Sequence, residues 1–372
     1  MKGCNILIPC GGTGGHLFPG IAVAEKLMER GHKPLLVLSE KQVDREAIKN
    51  KNNLDWRSLP VVGWPGFFSK DIFSFSLKLF QGYKTCRCLF LNFKPDLVLA
   101  FGGFISALPL FLGLKKKIPL ILHEANATAG LVTKLFSRFA QYVLLGMKEC
   151  EIDISPGKKI FTGIPLRREL TIRKSREEAC RSIGFDPLLK TIFIFGGSQG
   201  AQGINRLVVE TLPYMVKRKD QLQFIHLTGP KDYDECLRIY NDLGYKALVE
   251  SFSHRMAVYY SSADLVISRA GATTLTEICA YGLPSILIPY PYAANDHQMK
   301  NAQIFQKAKA AFLFEESKVS PELLLDTLSQ ILDDSQLAKK MGTIAQQMFK
   351  ADSTDKIVEI VERCLSQRTK SF

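Results

Sequence analysis

Two glycine-rich phrases are placed where backbone chemistry can act on an anion. Gly11-Gly12-Thr13-Gly14-Gly15-His16 follows the apolar run Asn5-Ile6-Leu7-Ile8-Pro9, and Gly196-Gly197-Ser198-Gln199-Gly200-Ala201 follows Thr191-Ile192-Phe193-Ile194-Phe195. A strand that runs into glycines and then a helix collects bare N–H groups and a positive helix end at one spot, which suits a phosphate. One such unit near the start of each half points to an enzyme handling two phosphorylated ligands. His16, just past the first loop, has the chemistry of a general base, since a neutral imidazole can take a proton from an attacking hydroxyl. A histidine packed at a helix start would read the same way, and the residues alone leave both open. Glu124, beside His123, is a rival base.

The elements that must hold these residues are strands alternating with helices. Apolar runs fall at Ile6–Ile8, Leu35–Leu38, Leu97–Ala100, Leu120–Leu122 and Tyr142–Leu145, with a helix expected over Ile21–Arg30. In the second half they fall at Ile192–Phe195, Phe224–Leu227, Leu248–Val249, Leu265–Ile267, Ser285–Ile288 and Ala311–Phe314, before helices from about Pro321 to Arg368. Such runs predict α/β architecture, two doubly wound parallel sheets covered on both faces, with ligands at the carboxyl ends of the strands. At 372 residues the chain is long enough for two domains. The turn-rich Thr162-Gly163-Ile164-Pro165 suggests the boundary, giving domains over 1–163 and 164–349. The uncharged stretch Leu97–Leu114 approaches the minimum for a membrane span, but Gly102-Gly103 and Pro109 divide it into a strand, a turn and a helix.

Composition narrows the partners. The 49 Lys+Arg against 36 Asp+Glu give a formal charge of +13, which suits nucleic acid, an anionic membrane or an anionic substrate. RNA-binding, zinc-finger and basic-zipper signatures are missing, which ranks nucleic acid last. Nine scattered cysteines, never Cys-x-x-Cys, fit free thiols in a reducing compartment, and Met1-Lys2-Gly3-Cys4 runs straight into the first strand with no room for a signal peptide.

Five further phrases stand where strand ends should carry ligand contacts. They are Phe101-Gly102-Gly103-Phe104-Ile105-Ser106, His123-Glu124-Ala125-Asn126-Ala127-Thr128-Ala129-Gly130, Thr162-Gly163-Ile164-Pro165-Leu166-Arg167, Ser268 through Glu277, and Pro289 through Gln298. With the two glycine loops, in order and over essentially the whole chain, they closely resemble the MurG glycosyltransferases of peptidoglycan synthesis. The resemblance implies the GT-B fold, two Rossmann-like domains facing a cleft, with a C-terminal segment (about 350–372) packing back on the first. It implies transfer of N-acetylglucosamine from UDP-GlcNAc to lipid I (undecaprenyl-diphosphoryl-MurNAc-pentapeptide), giving lipid II with inversion. No cofactor or metal is implied, because helix N-termini and donors such as Ser198 can meet the leaving diphosphate.

Site roles follow from the same resemblance. His16 becomes the catalytic base, and the first loop is poised for the acceptor diphosphate. UDP-GlcNAc contacts fall on Thr13, Gly14, Gly15, Asn126, Arg167, Ser198, the backbone of Ser253, the run Ala272, Thr273, Thr274, Leu275, Thr276, Glu277, and Gln298. Glu277, expected in the first turns of the helix opening at Gly271, is assigned the ribose hydroxyls, although an acid there also complements the helix dipole. Arg167 could instead form a salt bridge at the domain junction, and Gln298 could be a surface amide. Three positions depart from the family pattern, with Ala125 for a usual glutamine, Ile164 for asparagine and His297 for the first of two glutamines. The last bears on sugar recognition.

The lipid-borne acceptor calls for a membrane surface. From Phe67 to Phe93 there are seven phenylalanines, with Lys70, Lys78, Lys84 and Arg87 and only Asp71 acidic, and Lys115-Lys116-Lys117 follow nearby. Apolar side chains beside lysines suit peripheral adsorption to anionic lipid. Phe67, Phe68, Phe73 and Phe75 are the expected anchors, on the cytoplasmic face of the inner membrane, with cell-wall or division proteins as further partners. Other classes are less well served. An NAD-dependent oxidoreductase expects Gly-x-Gly-x-x-Gly, which neither loop has. A lipid-carrier-binding protein would not need Glu277, and a diacylglycerol acceptor would not need the first loop.

Overall fold

The computed structural model describes residues 3–41, 44–45, 48–49, 51, 53–60, 72–197 and 200–369, the last two and the first three of the outer helices (72–74 and 368–369) by backbone alone. The chain divides into two compact units, Met1–Arg167 with Lys350–Phe372, and Arg168–Phe349.

The first unit is built on seven strands, β1 (Asn5–Pro9), β2 (Lys33–Ser39), β3 (Trp56–Leu59), β4 (Leu97–Ala100), β5 (Leu120–Glu124), β6 (Tyr142–Leu145) and β7 (Lys159–Phe161). All neighbouring pairs are parallel, in the order β3-β2-β1-β4-β5-β6-β7. Side chains alternate between two cores, as a pleated strand requires. Leu7, Val98, Leu120 and Val143 face one side, with helices Ile72–Phe93, Ala107–Lys115 and Leu131–Phe136 over them. Ile6, Ile8, Leu97, Leu99 and Ile121 face the other, under helices Gly14–Glu29 and Ser353–Thr369. The last helix buries Ile357, Val358, Val361 and Cys364 in that core.

The second unit repeats the plan with β8 (Lys190–Phe195), β9 (Leu222–Leu227), β10 (Lys246–Glu250), β11 (Leu265–Ser268), β12 (Ser285–Leu287) and β13 (Ala311–Leu313), ordered β10-β9-β8-β11-β12-β13 and all parallel. Chain order reverses between β1 and β4 in one sheet and between β8 and β11 in the other. Loops leaving these paired strands diverge to opposite faces and open a crevice at the carboxyl ends.

The Leu97–Leu114 stretch resolves as β4, a glycine turn, the 3₁₀ segment Phe104–Ser106 and the helix Ala107–Lys115. Among the described residues no helix is long and apolar enough to cross a membrane. The first long helix starts at Gly14, well before the expected Ile21, and carries Pro19 inside it.

Candidate active site

In the first unit the reversal point is occupied by His16. The helix Gly14–Glu29 leaves the end of β1, and Gly102-Gly103 follow β4. A Cβ on Gly102 would lie 3.2 Å from Nε2 of His16, and one on Gly103 3.1 Å from its Nδ1. Both glycines have positive φ, +90° and +73°, so bare backbone is needed twice over, for the turn and for the ring lying against it. Thr13 is the helix N-cap residue, yet its side chain caps nothing. Its Oγ1 instead lies 3.1 Å from Nδ1 of His16. In the tautomer that donates from Nδ1 to Thr13, the basic lone pair sits on Nε2.

The glycine loop itself differs from a bare anion cradle. Fully buried Asp44 accepts through Oδ2 from the Gly12 N–H (2.7 Å), the Ser39 N–H (2.9 Å) and the Ser39 hydroxyl (2.6 Å). The Gly12 amide is therefore engaged by a protein carboxylate, and an anion at this loop would meet the helix start at Gly14 and Gly15. Lys41 donates to the Gly12 carbonyl at 3.1 Å.

Glu124 is engaged on both oxygens. It is buried, and four donors converge on it. Oε1 accepts from the Asn126 N–H and Nδ2, both at 3.2 Å, and Oε2 from the Gly130 N–H (2.9 Å) and the Thr133 hydroxyl (2.8 Å). Gly130 is the N-cap of the helix Leu131–Phe136, so the carboxylate ties the loop after β5 to a helix start. Its neighbour His123 is buried, with Nε2 3.0 Å from the Gly163 carbonyl. Burial lowers its pKa to about 4, so the ring is neutral and donates to that carbonyl. Arg167 lays its guanidinium over the Phe18 ring, 4.3 Å from the centroid.

In the second unit the helix Ala272–Tyr281 opens with Gly271 at the end of β11. Thr273 and Thr274 are half-buried in its first turn, while Ala272 and Leu275 are buried, so any contact from those two is through backbone. The Thr276 hydroxyl donates back to the Ala272 carbonyl at 3.0 Å. Glu277 is the sixth residue of the helix rather than a first-turn acid, and it is buried with Tyr260 donating to Oε2 at 2.9 Å. Its depth removes the helix-dipole reading, which needs a first-turn position. Gln298 accepts through Oε1 from the Ala270 N–H (3.3 Å) and the Tyr290 N–H (2.9 Å), which fixes the orientation of its amide. It is no idle surface amide.

The Ser253 hydroxyl is internal to its turn, accepting from the Arg255 N–H (3.2 Å) and lying 3.0 Å from the Tyr259 hydroxyl. Tyr259 and Arg255 both reach Glu250. Burial opposes ionisation of Glu250, but hydrogen bonds from Tyr259, Ser253 and Arg255 outweigh it and hold the carboxyl below its usual range.

Gly200 (φ +77°) passes so close that a Cβ would lie 2.0 Å from the Thr228 carbonyl oxygen, a contact only glycine allows. Ser198 and Gln199 lie outside the described residues, as do Phe67, Phe68, Lys70 and the Phe73 side chain. Phe75 is buried against Phe104 and is corrected from membrane anchor to core residue.

Comparison with known proteins then decides the family. The glycosyltransferase family 28 N-terminal domain matches residues 6–145, and the family 28 C-terminal domain matches 191–357. A UDP-N-acetylglucosamine--N-acetylmuramyl-(pentapeptide) pyrophosphoryl-undecaprenol N-acetylglucosamine transferase of Halothermothrix orenii is 36% identical over 95% of this chain and 96% of its own. The protein of the same name from Geobacter sulfurreducens is 35% identical over 95% and 97%. The crystal structure of Acinetobacter baumannii MurG superposes with a TM-score of 0.75 at 25% identity, covering 97% of this chain and 99% of that one. The chain belongs to the MurG family.

It is a glycosyltransferase of the GT-B fold. The three expected departures from the MurG pattern have distinct surroundings. Ala125 and Ile164 are both buried beside Gly146, where an added Cβ would press on both. His297 opens the helix His297–Lys307 with Nδ1 2.8 Å from the Ala294 carbonyl, which fixes that nitrogen as the donor. Sequence reasoning gave no role to Asp44, Tyr260 or Arg269. Buried Arg269 pairs with Glu316 at 2.5 Å and donates to the Ile288 and Pro289 carbonyls, fastening the ends of β11 and β12. Its position directly after β11, in front of a Gly-opened helix, was the available signal.

Proposed function

We infer that the chain transfers N-acetylglucosamine from UDP-GlcNAc to lipid I, with His16 as the base. The observation that carries this reading is the imidazole held at the carboxyl ends of β1 and β4, one nitrogen engaged by Thr13. As the MurNAc hydroxyl attacks the anomeric carbon, Nε2 takes its proton. The new C–O bond forms on the face opposite the departing UDP, and the bond to the diphosphate breaks with its electron pair leaving on oxygen. This order of events inverts the anomeric carbon. Negative charge on the leaving diphosphate is offset by the N-terminus of the helix Ala272–Tyr281, Arg167 and Ser198. Glu277 takes the ribose hydroxyls, the Ser253 backbone the uracil, and Gln298 and Asn126 the sugar side of the donor. Thr13, Gly14 and Gly15 present the first helix end to diphosphate. On this reading the second unit carries most of the donor contacts, and the first unit serves the acceptor and adds Asn126 and Arg167 to the donor side.

The four donors on Glu124 support His16 over its rival, since both carboxylate oxygens are already engaged in holding the loop. His16→Ala should lower kcat by about 10²–10⁴-fold with UDP affinity nearly intact. Normal turnover by that variant would remove the assignment.

A peripheral position on the cytoplasmic face of the inner membrane is part of the same reading. Leu77, Phe80, Phe111, Leu131 and Leu135 are about half or more exposed on the three helices that cover one face of the first sheet, and Phe139 is half exposed in the turn after the last of them. Lys78, Lys84, Arg87, Lys115, Lys116, Lys117, Lys134 and Arg138 are exposed on the same helices or just after them, and Lys84 sits 4.4 Å over the Phe80 ring. Exposed apolar side chains and cations on the same helices suit salt-sensitive adsorption to anionic lipid.

A further inference from the structure

The helix Met256–Ser262 supplies none of the proposed ligand contacts, yet its adjacent tyrosines reach two parts of the nucleotide site. Tyr259 turns to Glu250 and Ser253, and Tyr260 turns to Glu277. The Tyr260 ring is fully buried at the end of β8, edge-on to Phe193 (centroids 5.3 Å) and Phe195 (5.9 Å), and stacked on Tyr281 at 5.1 Å. Tyr281 is itself tied by its hydroxyl to the Leu170 carbonyl at 3.2 Å. A ring gripped on three sides can place its hydroxyl at only one point, and that point is 2.9 Å from Oε2 of Glu277.

We propose that Tyr260 is a positioning residue for nucleotide binding, holding the Glu277 carboxylate in the rotamer that receives the ribose hydroxyls. The proposal rests on the reading of Glu277 as the ribose acceptor. A buried carboxylate on a helix has several staggered rotamers, and only one of them aims its oxygens at a given pair of hydroxyls. A phenol donor to the carboxylate selects that rotamer, because hydrogen bonds to charged groups are the stronger kind. Tyr260 therefore acts through Glu277 without touching the ligand. The aromatic packing that fixes its ring does not depend on the hydroxyl, so Tyr260→Phe should keep the fold while releasing the carboxylate.

The ribose hydroxyls supply a readout that a purely structural role would not move. Calorimetric affinities of UDP and 2′,3′-dideoxy-UDP are compared for the parent, Tyr260→Phe, Tyr259→Phe and Glu277→Gln. Tyr260→Phe should weaken UDP by about tenfold and leave dideoxy-UDP within about twofold of the parent. Tyr259→Phe, which frees a different turn, should weaken both ligands alike. If Glu277→Gln binds UDP as the parent does, the ribose reading itself fails. If Glu277→Gln loses UDP selectively while Tyr260→Phe does not, the ribose reading stands and the positioning role of Tyr260 is overturned. Equal loss of both ligands in Tyr260→Phe would likewise overturn it, because the hydroxyl would then be supporting the unit generally.

Discussion

Replacing Glu124 by Gln separates a loop-organising carboxylate from a catalytic one. Four donors share its two oxygens, two from Asn126 on Oε1 and the Gly130 N–H and Thr133 hydroxyl on Oε2. A glutamine offers one acceptor oxygen and one NH₂ group. With the oxygen kept toward Asn126, the Thr133 hydroxyl can rotate to accept, but the Gly130 N–H faces another donor. Flipping the amide strands the Asn126 N–H in the same way. One buried amide orphaned costs about 1–3 kcal/mol, and two hydrogen bonds lose their charge assistance. The sum is about 3 kcal/mol, or a fall in melting temperature of roughly 6–12 °C for a unit of this size. Thermal melts followed by circular dichroism, with kcat measured well below the transition, make the comparison. A Glu124→Gln protein with an unshifted melt and kcat reduced about 10²-fold or more would refute the reasoning and make Glu124 the base.

The remaining predictions concern geometry, pH and lipid. Gly102→Ala sets a methyl at φ +90° and 3.2 Å from His16 Nε2, so kcat should fall at least about tenfold with donor affinity retained; a fully active variant would mean the ring is not held there. Burial lowers the pKa of His123 to about 4 and of His226 to about 3, below the ordinary 6.5 that the unfolded chain restores. The unfolded state therefore binds more protons below pH 6.5, and stability should fall as pH drops from 6.5 toward 4, by about 3 kcal/mol per histidine. Urea midpoints that stay level across that window would contradict neutral buried rings. Leu77→Ser/Phe80→Ser should reduce sedimentation with anionic vesicles, which should also weaken as salt rises. Undiminished, salt-independent binding would place the lipid contact elsewhere.

The parts of the fold that could be read in the sequence were those dictated by burial on both faces. Strands β1, β4, β8 and β11 are continuous apolar runs because helices cover each sheet on both sides. The edge strands β3 and β7 carry no such apolar run, since Trp56-Arg57-Ser58-Leu59 and Lys159-Ile160-Phe161 are partly exposed and carry charge. The first helix was expected seven residues late because Gly14-Gly15 and Pro19 look like helix breakers. Gly14 instead admits the close approach of Phe18.

Side-chain roles that arise from partners distant in sequence had no local signal. Asp44 lies 32 residues from the Gly12 amide it accepts from, and Tyr260 lies 17 from Glu277. The donors to Glu124 at 126, 130 and 133 become visible only when the loop folds around it. Motif spacing marks the strand ends, while the hydrogen bonds across the loops arise only in the fold.

Acceptor-dependent release of UDP tests the central claim most directly. The protein is incubated with UDP-GlcNAc alone, with a lipid I analogue, and with diacylglycerol, and UDP and the new glycoside are quantified. Rapid UDP release only with the lipid I analogue, accompanied by a β-linked GlcNAc product and abolished in His16→Ala, is the expected result. Release with diacylglycerol instead, or an α-linked product, would contradict the account.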